Sequence, residues 1–277
     1  MILVSKKTFN SQPCLLIYNE IQTIMNNPRR LSFDRFTVED SVYPPCLHMP
    51  PHTDKLSRIS IILDGELQES HASENITAVR GSLVIKPKHT IHENTFGNKP
   101  VRSLSVSFHD EHLFTKHFRS WQWIRHPKIS VLGIRFWSEA KKLNSEEKLH
   151  NCFNEFLSAV ATLSNCQNKP IYWLEELKRL IGLNLSDAEK INQLSEKLCL
   201  HRVYLSRAFK KNYGLSPVEF RKYVKISAAF FDLVLTSKSL AGIAYDSGFS
   251  DQSHMTREFL RCFGHAPAQF KKLFKKK

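Results

Sequence analysis

The stretch SRAFKKNYGLSPVEFRK (206–222) returns 50 positions later as TREFLRCFGHAPAQFKK (256–272). Arg207 aligns with Arg257, Phe209 with Phe259, Lys211 with Arg261, Tyr213 with Phe263, Gly214 with Gly264, Pro217 with Pro267, Phe220 with Phe270 and Lys222 with Lys272. Upstream, LSEKLCL (194–200) matches IAYDSGF (243–249) at an offset of 49, so one residue is gained inside the second copy. A repeat of this kind marks a duplicated supersecondary unit, and an extra residue is tolerated where the unit turns.

Each copy has the anatomy of two helices joined by a tight turn. The first helix covers Ile191–Lys197 or Leu240–Asp246, and the turn falls at Cys199-Leu200 or Gly248-Phe249. Ser250 or Asp251 can cap the second helix of the later copy, while His201 is a weaker cap in the earlier one. Leu205 and Phe209, like Met255 and Phe259, lie four apart and share a buried face. Arg207, Lys210, Lys211, Arg257 and Arg261 fall elsewhere around their helices. Gly-x-x-Pro closes each unit, glycine accepting a left-handed end and proline opening the next helix. A helix of this diameter fits a B-DNA major groove. A plain helical solenoid is the alternative, but two copies are too few to stabilise one.

Charge agrees with a polyanionic partner. The formal net charge is +14, and residues 171–277 hold 19 Lys and Arg against 10 Asp and Glu, net +9. A basic surface attracts nucleic acid, although charge alone does not specify it. No run approaches the length of a membrane span. MILVSKKTFN lacks the order of a secretory signal, and the six cysteines lack CxxC spacing. A cytoplasmic chain with reduced thiols, no cofactor and no structural metal is expected. No nucleophile motif, phosphate loop or catalytic constellation stands out, so an enzyme is not expected.

The region 171–272 resembles the DNA-binding domain of the AraC/XylS family of transcription regulators. The resemblance is carried by YLSRAFKKNYGLSP (204–217) and IAYDSGFSDQSHMTREFLRCFGHAP (243–267). It implies seven helices, with a long one from about Pro217 to Leu235 joining two helix-turn-helix units. Their recognition helices would enter successive major-groove segments of double-stranded DNA about one turn apart. By position in the motif, Arg202, Val203, Ser206 and Arg207 belong to the first reading surface, and Gln252, Ser253, Thr256 and Arg257 to the second. Arginine can pair with guanine and glutamine with adenine. Lys210, Lys211 and Arg261 suit phosphates, which fix register without reading sequence. The sequence departs from the family pattern at Lys225, where arginine is usual, and at Met255, Leu260 and Ala266.

The N-terminal half reads differently. Ile59, Ile61 and Leu63 alternate with Arg58, Ser60 and Ile62, and Leu104, Val106 and Phe108 with Ser103, Ser105 and Ser107. That period of two indicates strands, with Asp64-Gly65 a hairpin signal and Gly81, Pro87 and Gly97 further breaks. From about residue 135 the period becomes helical, and Leu149, Phe153, Phe156, Leu157, Val160 and Leu163 form one apolar stripe. SNCQNKP (164–170) reads as a linker. The expected architecture is therefore α+β in two domains: a β-barrel with flanking helices over 1–168, and an all-α double helix-turn-helix over 169–277.

The resemblance implies that the first domain is a cupin-like barrel that senses a small-molecule effector and pairs two subunits, in an activator that contacts RNA polymerase. Gly81, Pro87 and His92 fit the spacing of a cupin motif, with His89 where glycine is usual and Arg58 where the companion motif has glutamate. His48, His52 and His92 suggest metal ligands, but no carboxylate completes the set and an arginine beside it disfavours a cation. The alternative is an organic effector held by His52, Arg58, Ser60 and His92, for which an anionic or hydroxylated ligand is expected. Arg58 and Ser60 equally suit a solvent-facing strand surface. The 149–163 stripe suits packing on its own barrel or, as the resemblance favours, on a second subunit. Two rivals are a cupin enzyme with a DNA-binding appendage and a DNA-binding protein without an effector.

Overall fold

The computed structural model describes residues 29–142, 145–164, 172–183 and 195–274. The proposed linker and the start of Ile191–Lys197 lie outside these residues; Ser195–Lys197 is helical. Ten strands come first: β1 (Arg29–Ser32), β2 (Phe36–Tyr43), β3 (His48–His52), β4 (Arg58–Asp64), β5 (Leu67–His71), β6 (Glu74–Ala78), β7 (Ser82–Lys86), β8 (His92–Phe96), β9 (Val101–Phe108) and β10 (Gln122–Arg125). The helices are α1 (Glu111–Thr115), α2 (Pro127–Lys142), α3 (Glu146–Ser164), α4 (Tyr172–Leu183), α5 (Arg202–Tyr213), α6 (Pro217–Leu235), α7 (Leu240–Asp246), α8 (Gln252–Phe263) and α9 (Pro267–Phe274). The two-domain plan of β-rich sheets followed by helices holds, with differences in detail. Strand β10 lies beyond the last alternating stretch read as a strand, 103–108, and α2 begins ahead of residue 135, where the period reads as helical.

The strands form two antiparallel sheets, in the orders β1-β2-β9-β4-β7-β10 and β3-β8-β5-β6. No strand pairing among the described residues joins them into one closed ring. Asp64-Gly65 is not a hairpin: β4 and β5 belong to different sheets, and the turn carries the chain from one to the other. Glycine is required there, because φ is +82° and a Cβ would stand 2.6 Å from the Pro100 carbonyl oxygen. No L-residue meets both demands without strain.

The larger sheet is covered on both faces. Ile59, Ile61, Leu63, Leu83, Ile85, Leu104, Val106 and Phe108 pack against α2 and α3 in one core. Phe36 stacks on Phe153 at 4.3 Å. Helix α2 lies so close that a Cβ on Gly133 would meet Ile61. The apolar stripe of α3 is buried in this core within its own chain, and Glu147, His150, Asn154 and Ser158 face outward. The apolar area of the stripe is thereby removed from water within one chain.

Helices α6, α8 and α9 join the same core. Trp137 of α2 packs on Phe274 at 4.6 Å, and the Arg102 guanidinium donates to the Phe274 carbonyl at 3.4 Å. The first repeat has its own core of Leu174, Leu177, Ile181, Leu205, Phe209, Leu215 and Phe220. No described helix is long and apolar enough to cross a membrane.

Candidate nucleic-acid interface and polar interior

The two repeats fold into equivalent units. In each, the turn holds one left-handed residue: Cys199 at φ 52° and Gly248 at φ 75°. The same backbone bonds close both turns, from Cys199 N–H to Glu196 and from Gly248 N–H to Tyr245. The extra residue of the second copy falls between this turn and the next helix. His201 caps α5 directly, its Nδ1 accepting from Val203 N–H at 3.4 Å, whereas Asp251 caps α8 by accepting from His254 N–H at 2.7 Å. The second cap is shorter and charged, which favours a helix N-terminus more strongly. Gly214 and Gly264 end their helices in the left-handed conformation, at φ 66° and 74°. Pro217 and Pro267 then begin α6 and α9.

Each reading helix turns one face inward and another outward. Leu205 and Phe209, and Met255, Phe259 and Phe263, are buried. Arg202, Val203, Arg207, Lys210 and Lys211 are exposed on α5; Gln252, Ser253, Arg257 and Arg261 are exposed on α8. Ser206 and Thr256 are half-buried at the foot of these faces. All eleven residues singled out in the sequence thus lie on two helices, ten of them in five pairs at matching repeat positions, with Lys210 opposite Leu260. Arg207 and Arg257 have no ion-pair partner among the described residues, so both guanidiniums are available to a ligand. Arg261 is engaged, at 2.9 Å from Glu258, which also meets Lys222 of α6 at 2.9 Å. Leu260, 48% exposed, replaces the charge that Lys210 supplies in the first unit.

Sequence reasoning passed over two residues. Tyr204, 57% exposed on α5, lies 5.9 Å from Trp173 and extends the first surface toward α4. It opens the stretch 204–217 that carries the resemblance but was given no role there. Lys225, noted only as a departure, donates to the Gly248 carbonyl and ties α6 to the turn of the second unit.

Between the two sheets lies a polar interior. Arg58 and Ser60 point there rather than to solvent, because the opposite residues of β4 fill the helix-facing core. Ser60 Oγ bonds Ser105 Oγ at 2.8 Å, and Arg58 donates to Ser107 Oγ at 3.3 Å. His52 and His92 are register partners whose rings lie 4.3 Å apart. His48 is exposed and bonds Thr95, away from that pair. Burial, with Lys86 nearby, pushes His92 down to about 4, and burial also lowers His52. Burial would raise Asp54, but Arg58 and Lys86 outweigh it and hold the carboxyl at about 2. Lys86 bonds Glu69 at 2.9 Å, and Trp121 donates to the same carboxylate at 2.6 Å. Asp54 Oδ2, Asn94 Oδ1 and Trp123 Nε1 are buried without a hydrogen-bond partner. Sequence reading missed Asp54, Glu69, Lys86 and Asn94 because only the fold brings these strands together.

Residues 194–273 match the family model described as a helix-turn-helix domain. The chain is 28% identical over 160 residues to the Msm operon regulatory protein of Streptococcus mutans, covering 58% of this chain and 55% of that one. It is 29% identical over 99 residues to the arabinose operon regulatory protein of Escherichia coli, covering 35% and 34%. It is 27% identical over 139 residues to the transcriptional activator RhaS of Mannheimia succiniciproducens, covering 47% and 52%. The chain spans about half the length of these relatives, or less.

Proposed function

We propose that this chain, whose C-terminal region is an AraC/XylS-type double helix-turn-helix domain, is a sequence-specific transcription regulator that reads double-stranded DNA through α5 and α8. The observation that carries the reading is the pair of exposed arginines, Arg207 and Arg257, without an ion-pair partner among the described residues, at equivalent positions of the two repeat units. Arg202, Val203, Ser206 and Arg207 would meet base edges in one major-groove segment, and Gln252, Ser253, Thr256 and Arg257 in the next. Lys210, Lys211 and Arg261 would hold phosphates. The likeness to an activator supports activation; contact with RNA polymerase, in the cytoplasm, is part of the proposal. A homodimer would need a surface other than the apolar stripe of α3. No catalytic role is assigned.

The polar interior between the sheets is the proposed effector site, with His52, Arg58, Ser60 and His92 on its wall. Its charges are matched internally, Arg58 with Glu39 at 3.7 Å and Lys86 with Glu69 and Asp54 at 2.9 and 3.9 Å. An added ion would be buried without a counter-charge, which is costly, whereas hydroxyls satisfy orphaned acceptors and donors alike. The interior therefore favours an uncharged hydroxylated effector over an anion.

The test is selection of bound duplexes from random DNA by the full chain. The expected product is two conserved blocks about one helical turn apart, ~10 base pairs centre to centre. Enrichment of no sequence at moderate salt would reject the reading.

A further inference from the structure

Helix α5 carries part of its reading face down one stripe. Val203, Arg207 and Lys210 are spaced by four and three, so they share one side of the helix, and all three are exposed. The next step of that stripe is Gly214, exposed at the left-handed end of the helix. The start of α2, which follows the last strand of the β-rich domain, packs against this end. His126 Nε2–H donates to the Tyr213 carbonyl at 3.1 Å, and the His126 ring meets Phe220 edge-on at 5.4 Å. Two residues further on, Lys128 stands in the first turn of α2. A cavity of about 230 Å³ lies between these elements, and its wall holds Lys128 together with Tyr213, Gly214 and Leu215. Lys128 thus borders the place where the reading stripe runs off the end of α5.

Charge at this edge is left positive. Lys128 is half-buried and has no ion-pair partner among the described residues. The first turn of α2 holds no acid, so the positive end of that helix adds to the lysine instead of being offset. The carboxylates around it are engaged. Glu155, on the same cavity wall, meets Arg135 at 3.1 Å. Glu219 accepts from Ser216 N–H at 2.8 Å and from Ser216 Oγ at 2.7 Å. Those bonds hold its carboxyl below the usual carboxylate range, and the charges of Lys210 and Lys128 both add to the effect. One carboxylate therefore feels a lysine of the reading helix and a lysine of the β-rich domain together.

We propose that Lys128 is a DNA contact made by the β-rich domain, holding a backbone phosphate beyond the one on Lys210, where the duplex passes the end of α5. A half-buried ammonium without a counter-ion is costly, and a phosphate oxygen offers it a charge-assisted bond. Arg207 and Lys210 lead along the stripe toward it, so the anion that meets all three is a polyanion lying along α5, not a small free ion. A phosphate contact fixes position without reading bases, so Lys128 adds grip and register but no specificity. The inference rests on the reading of α5 as a DNA-reading helix.

The test uses the full chain and the selected duplex, with Lys128→Gln, Lys128→Arg and, as a control, Lys116→Gln, an exposed cation outside the cavity wall. Affinity is followed by fluorescence anisotropy between about 50 and about 200 mM salt. Lys128→Gln should reduce the slope of log K on log salt by about one, the counterion release of one phosphate contact, and weaken binding roughly fivefold at about 0.1 M salt. The loss should be the same on the selected duplex and on duplexes altered within either block. Lys128→Arg, which keeps the charge, should restore slope and affinity, and Lys116→Gln should change neither. Hydroxyl-radical footprints of Lys128→Gln should change only beside the block that Arg207→Ala exposes. The proposal is overturned if Lys128→Gln binds with the parent's slope and affinity, if Lys116→Gln loses as much, or if Lys128→Arg fails to restore binding. A parent chain that selects no duplex rejects the regulator reading and this contact with it, whereas a parent that binds no better than Lys128→Gln rejects the contact alone.

Discussion

Arg207 and Arg257 were legible as a pair from the repeat alone, because a helix with one buried face leaves its basic residues little choice of direction. The polar interior between the sheets was not. Arg58 and Ser60 alternate with isoleucines, a pattern that fits one solvated face as well as one polar buried face. Only the second sheet and the covering helices decide between these. Burial of His92 and His126 has a consequence for stability. Both titrate near 4 in the folded chain, against an ordinary value of 6.5. The unfolded chain therefore binds more protons between these values, and stability falls as pH drops from about 6.5 to about 4. Asp54 adds a further loss as pH falls from 3.8 toward 2. Melting temperature measured across pH 7 to 4 should decline, and His92→Asn should flatten part of that decline. An identical slope in the variant would contradict the assignment.

At the scale of single elements, the second reading helix is better anchored than the first. Asp251 caps α8 with a short charged bond, and Lys222 and Lys225 tie that unit to α6. Asp251→Ala should cost about 1 kcal/mol of stability, as loss of a good N-cap does, read as a shift in the urea midpoint. His201→Ala should cost less, because its bond to Val203 N–H is long. A larger loss at His201 would reverse this ranking. The bounds of α6 follow from the family resemblance and those of α7 from the repeat; in the structure Ser216 and Ser239 cap their first turns. Strand β10 was not legible: QWIR is too short to show a period, and its partner β7 is remote in sequence. Asp64-Gly65 misled for a related reason. It marks a turn, but turn chemistry does not say whether the next strand pairs with the last or crosses to another sheet.

At the scale of the molecule, among the described residues, the larger sheet with its covering helices and the second unit share one core, while the first unit has its own. Helices α6, α8 and α9 pack into the same core as the larger sheet, α2 and α3. Local unfolding follows packing, so amide exchange should protect α2, the C-terminal half of α6 and α8 together, with α5 exchanging at lower protection. Trp137→Ala removes the contact with Phe274 and should cost about 3–5 kcal/mol, the range for truncating a buried large aromatic. The variant should also expose α9 to exchange. Uniform protection across both units would contradict this division. The central claim is that two unequal units read DNA together. Unit one presents Lys210 where unit two presents Leu260, and Arg261 is partly committed to Glu258. The most direct test is hydroxyl-radical footprinting of the selected duplex with the parent chain, Arg207→Ala and Arg257→Ala. The account predicts that each variant loses protection over a different block, at a cost of about 1–3 kcal/mol, with relaxed sequence preference in that block alone. Footprints and affinities unchanged in both variants would contradict it.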